Sequence, residues 1–360
     1  MFRLEDLGWG PFFNQQLNSD ERTALVPARV VEENRGAYRL YAEAGPTTAT
    51  ISGRLRHEAL MRGALPAAGD WVIVDPPSAG GTVIQLLLER RTNLSRKEAG
   101  ERTGEQVLAA NVDTVFLVSA LNEEFNPRKI ERYLAAVWQS GARSVIVLNK
   151  ADLGHDLDVF LRRTEAVAPG VPVLLTSTIT GAGITAVRAQ IDAGETAVFV
   201  GSSGVGKSSL VNALLDQAAQ SVRAIRDDGK GRHTTTSRRL ILLPGGGVVI
   251  DTPGLRELAL WNADAGLGGA FADIESLASE CAFRDCRHAR EPGCAVRDAM
   301  ERGTLAEARV GSYRKLEREL EYVAGKQDES LRIAGKNRWK TLAKQHRQRE
   351  KVRAKYGRLM

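Results

Sequence analysis

The chain has 360 residues, of which 43% are hydrophobic and 26% charged, and a net charge of +6. That length exceeds what one hydrophobic core organises, so two or three domains are expected. No apolar run approaches the ~20 residues of a membrane span, the opening MFRLEDLGWG lacks the layout of a signal peptide, and the three cysteines all fall between 281 and 294. These features argue against a membrane protein or a disulfide-stapled secreted scaffold. A cytoplasmic monomer is expected, and the positive balance hints at a polyanionic partner.

Residues 1–25 carry Leu7, Trp9, Phe12 and Phe13 and read as a short helical arm. Over 26–100, the short alternating runs PARVVEEN, YRLYAEA, TATISGRL, DWVIVD and TVIQLLL are separated by Gly36, Gly45-Pro46, Gly69-Asp70 and Pro76-Pro77. Such punctuation predicts an all-β barrel of the OB type, with an SH3-like barrel as the alternative. Residues 93–111 are polar and basic and read as a linker or loop. From Val112 strands and helices alternate: VDTVFLVSAL, a helix opening at 128–133, SVIVLNK, a helix over 156–167, VPVLL, a helix over 183–192, and TAVFV ending at Gly201. That alternation predicts a mostly parallel α/β sheet within 101–268. Residues 269–330 read as a helical, cysteine-bearing domain, and 331–360 as a basic tail.

Gly201, Ser202, Ser203, Gly204, Val205, Gly206, Lys207, Ser208 and Ser209 (GSSGVGKSS) fit the pattern G-x-x-x-x-G-K-[ST] between a strand and a helix. The glycines let the backbone wrap phosphate oxygens, and the helix N-terminus faces the negative charge. Lys207 would reach the β/γ-phosphates and Ser208 a Mg²⁺ ion. Average residue usage gives roughly one chance match per hundred chains of this size. Asn149, Lys150, Ala151 and Asp152 then choose the base, because a carboxylate at Asp152 accepts two hydrogen bonds that guanine offers and adenine cannot. A polar site left unpaired by the wrong base can discriminate by ~10⁴. Thr176 and Ser177, after the strand VPVLL, stand where a contact to guanine O6 is expected. Of two D-x-x-G matches, Asp228…Gly231 and Asp251…Gly254, only Asp251 follows an apolar strand, so Asp251 and Gly254 are the candidates for the Mg²⁺ and γ-phosphate side. GRHTTT (231–236) is the natural switch I, with Thr234 or Thr235 completing the Mg²⁺ shell.

The motif order is itself informative. An ordinary small GTPase runs from P-loop through D-x-x-G to N-K-x-D, whereas here N-K-x-D (149–152) precedes the P-loop (201–209) and DTPG (251–254). Such a permutation is cheap where the original ends lie close together, and here residues 192–195 would join them. Cys281, Cys286, His288 and Cys294 supply the four sulfur and nitrogen ligands of a closed tetrahedral Zn²⁺ site. With the permuted order, the cysteine spacing and GRHTTT, the chain resembles the ribosome-small-subunit-dependent GTPase A family (RsgA/YjeQ) over roughly 26–325. The resemblance implies an OB-fold, a circularly permuted P-loop GTPase domain and a zinc-binding domain, in that order. It also implies late maturation of the small ribosomal subunit, with that subunit and its rRNA as partners and as stimulators of GTP hydrolysis to GDP.

Ras-like enzymes orient the attacking water with a Gln after D-x-x-G. Leu255 occupies that position here, so His233 in switch I is the candidate catalytic residue beside Lys207, with Arg232 as a weaker alternative. Gly204 stands where potassium-dependent relatives place Asn, so a K⁺ requirement is not indicated. The basic tail and Arg54, Arg56, Arg90 and Arg91 are candidate RNA contacts. Two other readings share these motifs: a GTPase acting on tRNA or other RNA, and a GTP-sensing RNA-binding module that does not hydrolyse.

Overall fold

The computed structural model describes residues 1–17, 25–34, 36–62, 65–76, 81–97, 105–123, 125–154, 156–221, 239–251, 271–322 and 325. Switch I with His233, Thr234 and Thr235, the segment holding Gly254 and Leu255, and the basic tail lie outside them.

Strands β1 (Val26–Asn34), β2 (Ala37–Ala42), β3 (Gly45–Ile51), β4 (Trp71–Val74) and β5 (Thr82–Leu87) close into a barrel in the order β1-β2-β3-β5-β4. Only β3 and β5 pair in parallel. The two-residue period puts Ala28, Val30, Tyr38, Leu40, Val72, Val74 and Ile84 into the barrel core. A bulge between Val30 and Glu32 breaks that period, so Val31 turns outward and joins the neighbouring domain's core. This five-stranded closed barrel is OB-like. One run departs from expectation: Gly53-Arg54-Leu55, read as the end of a strand, opens helix α2 (Gly53–Arg62). The Ser52 hydroxyl accepts from the Leu55 amide there, which caps the helix and stops β3.

The arm holds a 3-10 turn at Glu5–Leu7 and the short helix α1 (Pro11–Asn14). Leu7 and Phe13 are buried, and Trp9 and Phe13 pack on Trp71 with ring centroids 4.8 and 5.8 Å away. The expected linker over 93–111 is instead an antiparallel pair, β6 (Asn93–Lys97) and β7 (Glu105–Ala110). Its charged text conceals Leu94, Leu108 and Ala109, which are buried in the main core.

Six strands form the second sheet in the order β10-β9-β8-β11-β13-β12. They are β8 (Thr114–Ala120), β9 (Arg143–Asn149), β10 (Val173–Thr176), β11 (Thr196–Val200), β12 (Arg239–Leu242) and β13 (Val248–Asp251). All neighbours are parallel except β12 with β13. Helices cover both faces, which explains the continuous apolar runs. Leu117, Ile146, Leu148, Val198 and Val200 pack toward α3 (Pro127–Ser140) and α4 (Leu157–Glu165). Their alternates Phe116, Val118, Val145, Val147 and Phe199 pack toward α5 (Ile184–Arg188) and α6 (Lys207–Ser221). α3 starts where the Asn126 side chain accepts from the Arg128 amide with Pro127 at its first turn, and it stops at left-handed Gly141. α5 is shorter than its expected span of 183–192. The Arg188 guanidinium bonds the carbonyls of Ile191 and Gly246 at 2.6 and 2.7 Å, in a turn that carries the chain back to β11.

The C-terminal part contains α7 (Ala272–Ala278), α8 (Ala295–Glu301) and α9, helical over 307–322. Arg309 on α9 docks it: Nη1 donates to Glu131 Oε1 of α3 at 3.0 Å, and Nε and Nη2 donate to the Asp273 carboxylate at 2.7 and 2.8 Å. Among the described residues no helix is long and apolar enough to cross a membrane.

Candidate nucleotide and metal sites

The parallel strands β8, β9, β10, β11 and β13 all point their carboxyl ends to one edge of the sheet, where open α/β sheets bind ligands. Every sequence-predicted nucleotide residue that the structure describes sits at that edge. β11 ends at Val200, and the loop 201–206 leads into α6 at Lys207. Gly201 adopts φ +153° and a Cβ there would lie 2.2 Å from the Val118 carbonyl, so a side chain would push the loop off β8. Gly206 at φ +99° lies against Asn149, whose Nδ2 would be 2.2 Å from an added Cβ. Ser203, Gly204, Ser208 and Ser209 face solvent, and Val205 is buried beneath the loop. The Lys207 ammonium folds back over the loop and donates to the carbonyls of Gly201 and Ser202, both at 2.8 Å.

Asn149 joins the two halves of the site. Its Nδ2 donates to the Val205 carbonyl at 2.8 Å, and its Oδ1 accepts from the Thr176 hydroxyl at 3.1 Å. Asn149 and Thr176 are fully buried. Lys150 then takes a left-handed conformation at φ +64°, uncommon for lysine, and this turns Ala151 and Asp152 into a short 3-10 segment. The Ser177 hydroxyl donates to Asp152 Oδ1 at 2.5 Å and accepts from the amides of Ile179 and Thr180. One hydroxyl thus fixes both the carboxylate and the loop beside it. Asp251 ends β13, next to β11 in the sheet. Burial raises its carboxyl above the usual range, opposed by the charge of Lys207.

Cys281, Cys286, His288 and Cys294 place one ligand atom each within 4.8 Å of one another. His288 Nδ1 lies 3.6 Å from the Cys281 sulfur and 3.5 Å from that of Cys294. His288 is buried in a left-handed conformation, and burial lowers its pKa, which favours the neutral, metal-binding imidazole. The donor set fits a closed tetrahedral zinc site.

Two of the candidate RNA contacts form ion pairs within the chain. Arg90 pairs with the buried Asp70 at 2.7 Å and also bonds the Leu65 carbonyl, and Arg91 pairs with Asp113 at the junction of barrel and sheet. Arg54 and Arg56 remain exposed on α2. Sequence reasoning missed a small cavity between α3 and the P-loop, lined by Asn126, Lys129, Tyr133 and Ser202. The spacing of Asn126, Lys129 and Tyr133 on one helical face was its only signal.

Residues 87–261 match the family model described as RsgA GTPase. The small ribosomal subunit biogenesis GTPase RsgA of Opitutus terrae is 44% identical, the alignment covering 98% of this chain and 99% of that protein. Its namesake in Syntrophotalea carbinolica is 43% identical over 95% of this chain and 96% of that one. Among solved structures, YjeQ from Thermotoga maritima superposes with a TM-score of 0.63 at 29% identity, covering 82% of this chain and 98% of that one. YloQ, described as a circularly permuted GTPase, gives 0.61 at 26% identity, covering 85% and 98%. The sheet order, the permuted motifs and these likenesses agree: the chain belongs to the RsgA GTPase family.

Proposed function

We propose that this chain hydrolyses GTP to GDP and phosphate while bound to the small ribosomal subunit, and that it assists the late maturation of that subunit. The observation that carries the reading is the buried Asn149 bridge. It joins a phosphate-type loop to a loop whose Asp152 carboxylate is held at the site edge by Ser177. Asp152 reads the guanine N1–H and amino group, Thr176 and Ser177 shape the O6 side, and Gly201 to Ser209 wrap the phosphates. Lys207 leaves its two carbonyls for the β/γ-phosphates. Ser208 and Asp251, with Thr234 or Thr235, would hold Mg²⁺, which supplies charge neutralisation at the phosphates when bound. Gly254 adjoins the γ-phosphate and His233 orients the water. The Cys281, Cys286, His288 and Cys294 set would hold one zinc ion, which contributes folding energy to the C-terminal domain.

The partner rests on what the relatives are called: they are named for biogenesis of the small ribosomal subunit. Co-sedimentation tests it. The protein should pellet with purified small subunits in a non-hydrolysable GTP analogue and be released in GDP. Equal pelleting with large subunits, or binding to tRNA alone, would overturn the partner assignment. His233→Ala should keep nucleotide and subunit binding but lose stimulated turnover by about 10²-fold or more. Unchanged turnover would remove His233 from the mechanism.

A further inference from the structure

Arg29 lies on β1 between Ala28 and Val30, whose side chains fill the barrel, so its own side chain leaves the barrel on the opposite face. It is only 1% exposed. Its guanidinium is shared among four segments that are remote in sequence. Nη1 donates to the Leu7 carbonyl in the arm, and Nε to the Gly69 carbonyl in the barrel at 3.2 Å. Nη2 donates to the Asn111 carbonyl between barrel and sheet at 3.3 Å and to the Thr196 hydroxyl of β11 at 2.8 Å. The cation also lies 5.5 Å from the ring centroid of Trp71. None of these acceptors is charged, and burial lowers the guanidinium pKa to about 10. An apolar side chain would fill such a space at smaller desolvation cost. What the guanidinium adds is five donors in a rigid fork, which fix the directions of the segments it joins.

The surrounding backbone is equally tight. Gly8 and Gly194 touch: a Cβ on Gly8 would fall 2.7 Å from both the Gly194 carbonyl and Arg29 Nη1, and a Cβ on Gly194 would fall 2.7 Å from the Glu5 carbonyl. Both glycines have left-handed φ values, +90° and +79°. Asn111 is left-handed too, and its Nδ2 bonds the same Gly69 carbonyl that Arg29 holds. The arm therefore lies directly on the 192–195 joint created by the permutation. β11 starts one residue later and runs five residues, about 17 Å, to the P-loop.

We propose that Arg29 is a positioning residue for turnover: it locks the arm, the barrel and the P-loop strand into one body, so that engagement of the barrel by an RNA partner reaches the P-loop through β11. This rests on the reading of the chain as a subunit-stimulated GTPase. The permutation joint, which in another arrangement would be loose chain ends, becomes the point where the barrel grips the nucleotide domain.

The test compares Arg29→Met, Arg29→Lys and Thr196→Val with the wild type in GDP affinity, basal turnover and turnover with isolated small ribosomal subunits. Arg29→Met should lower the ratio of stimulated to basal turnover by about 5- to 100-fold, a usual range for coupling between sites, with basal turnover and GDP affinity within about twofold. Thr196→Val removes one acceptor at nearly constant shape and should lower the ratio about 2- to 10-fold. Arg29→Lys keeps the charge but cannot span four segments, so it should not rescue. A merely structural role would lower thermal stability and leave the ratio unchanged, and that result would overturn the proposal. If Arg29→Met fails to fold, an unchanged ratio in Thr196→Val overturns it. The two failures are distinguishable: if subunits do not stimulate the wild type, the partner reading fails and the turnover role of Arg29 falls with it, whereas a stimulated wild type with an unchanged ratio in the variants overturns this proposal alone.

Discussion

Replacing Asn149 by Ala would remove two buried hydrogen bonds at once, leaving the Val205 carbonyl and the Thr176 hydroxyl without the partner that now satisfies them. Asn149 and Thr176 are fully buried and Val205 is 3% exposed, so water does not readily substitute. A buried polar group deprived of its partner costs ~1–3 kcal/mol, and two such groups give about 2–6 kcal/mol. At ~2–4 °C per kcal/mol for a domain of this size, the melting temperature should fall by about 4–24 °C. The P-loop and the base-reading loop would also lose their cross-brace, so GDP affinity should drop about tenfold or more. Asn149→Asp sharpens the test. Its carboxylate can still accept from Thr176 but opposes the Val205 carbonyl with lone pairs, so near pH 7.5 it should be at least as damaging as Ala. Burial would raise that carboxyl's folded-state pKa above its unfolded value, so the penalty belongs to the ionised form and develops as pH rises. Lowering the pH toward 5 should therefore recover part of the loss in Asp and none in Ala. Differential scanning fluorimetry at two pH values, with a fluorescent GDP titration, reads all of this. An Ala variant with wild-type melting and wild-type GDP affinity would refute the bridge.

Asp152→Asn should weaken GTP by about 10²–10⁴-fold, because the base then faces an amide instead of a two-fold acceptor; titration calorimetry with GTP and ATP measures it, and retained GTP preference would count against Asp152. Arg309→Met takes the ion-pair partner from Glu131, which is 2% exposed and whose pKa burial already raises, and should cost ~3–5 kcal/mol in urea unfolding. That deficit should shrink as pH falls from 8 to 5.5, since protonating Glu131 removes the unpaired charge, and a pH-independent deficit would point to packing alone. Elemental analysis should find one zinc per chain, lost in Cys294→Ser, with faster hydrogen exchange over 271–322 after loss. Zinc should also dissociate more readily as pH falls, because protons compete for the thiolates and His288.

The nucleotide edge was legible because its chemistry demands fixed residue types at fixed spacing: Lys207, Asn149, Asp152 and Asp251 are placed by what they must contact. The same holds for the Cys3His cluster. What escaped was decided by packing. Residues 93–111 look like a solvated linker, yet three of their apolar side chains, Leu94, Leu108 and Ala109, are enough to bury the β6–β7 pair. Arg90 was expected among the RNA contacts, and nothing in the local sequence singles out Arg29. Only the fold reveals that Arg29 meets four segments and that Arg90 meets Asp70. Ser177 was expected to face guanine, and its grip on Asp152 depends on a loop conformation that local sequence does not encode.

Multiple-turnover GTP hydrolysis by the purified full chain, with and without isolated small ribosomal subunits, decides whether the chain is a subunit-stimulated GTPase. Turnover alone should be slow, on the order of 10⁻⁴ to 10⁻² s⁻¹, should rise about 10²-fold or more with subunits, and should be abolished by Lys207→Ala. ATP should be inert in both conditions. Absence of hydrolysis even with subunits, or a basal rate that subunits leave unchanged, would contradict a subunit-stimulated GTPase.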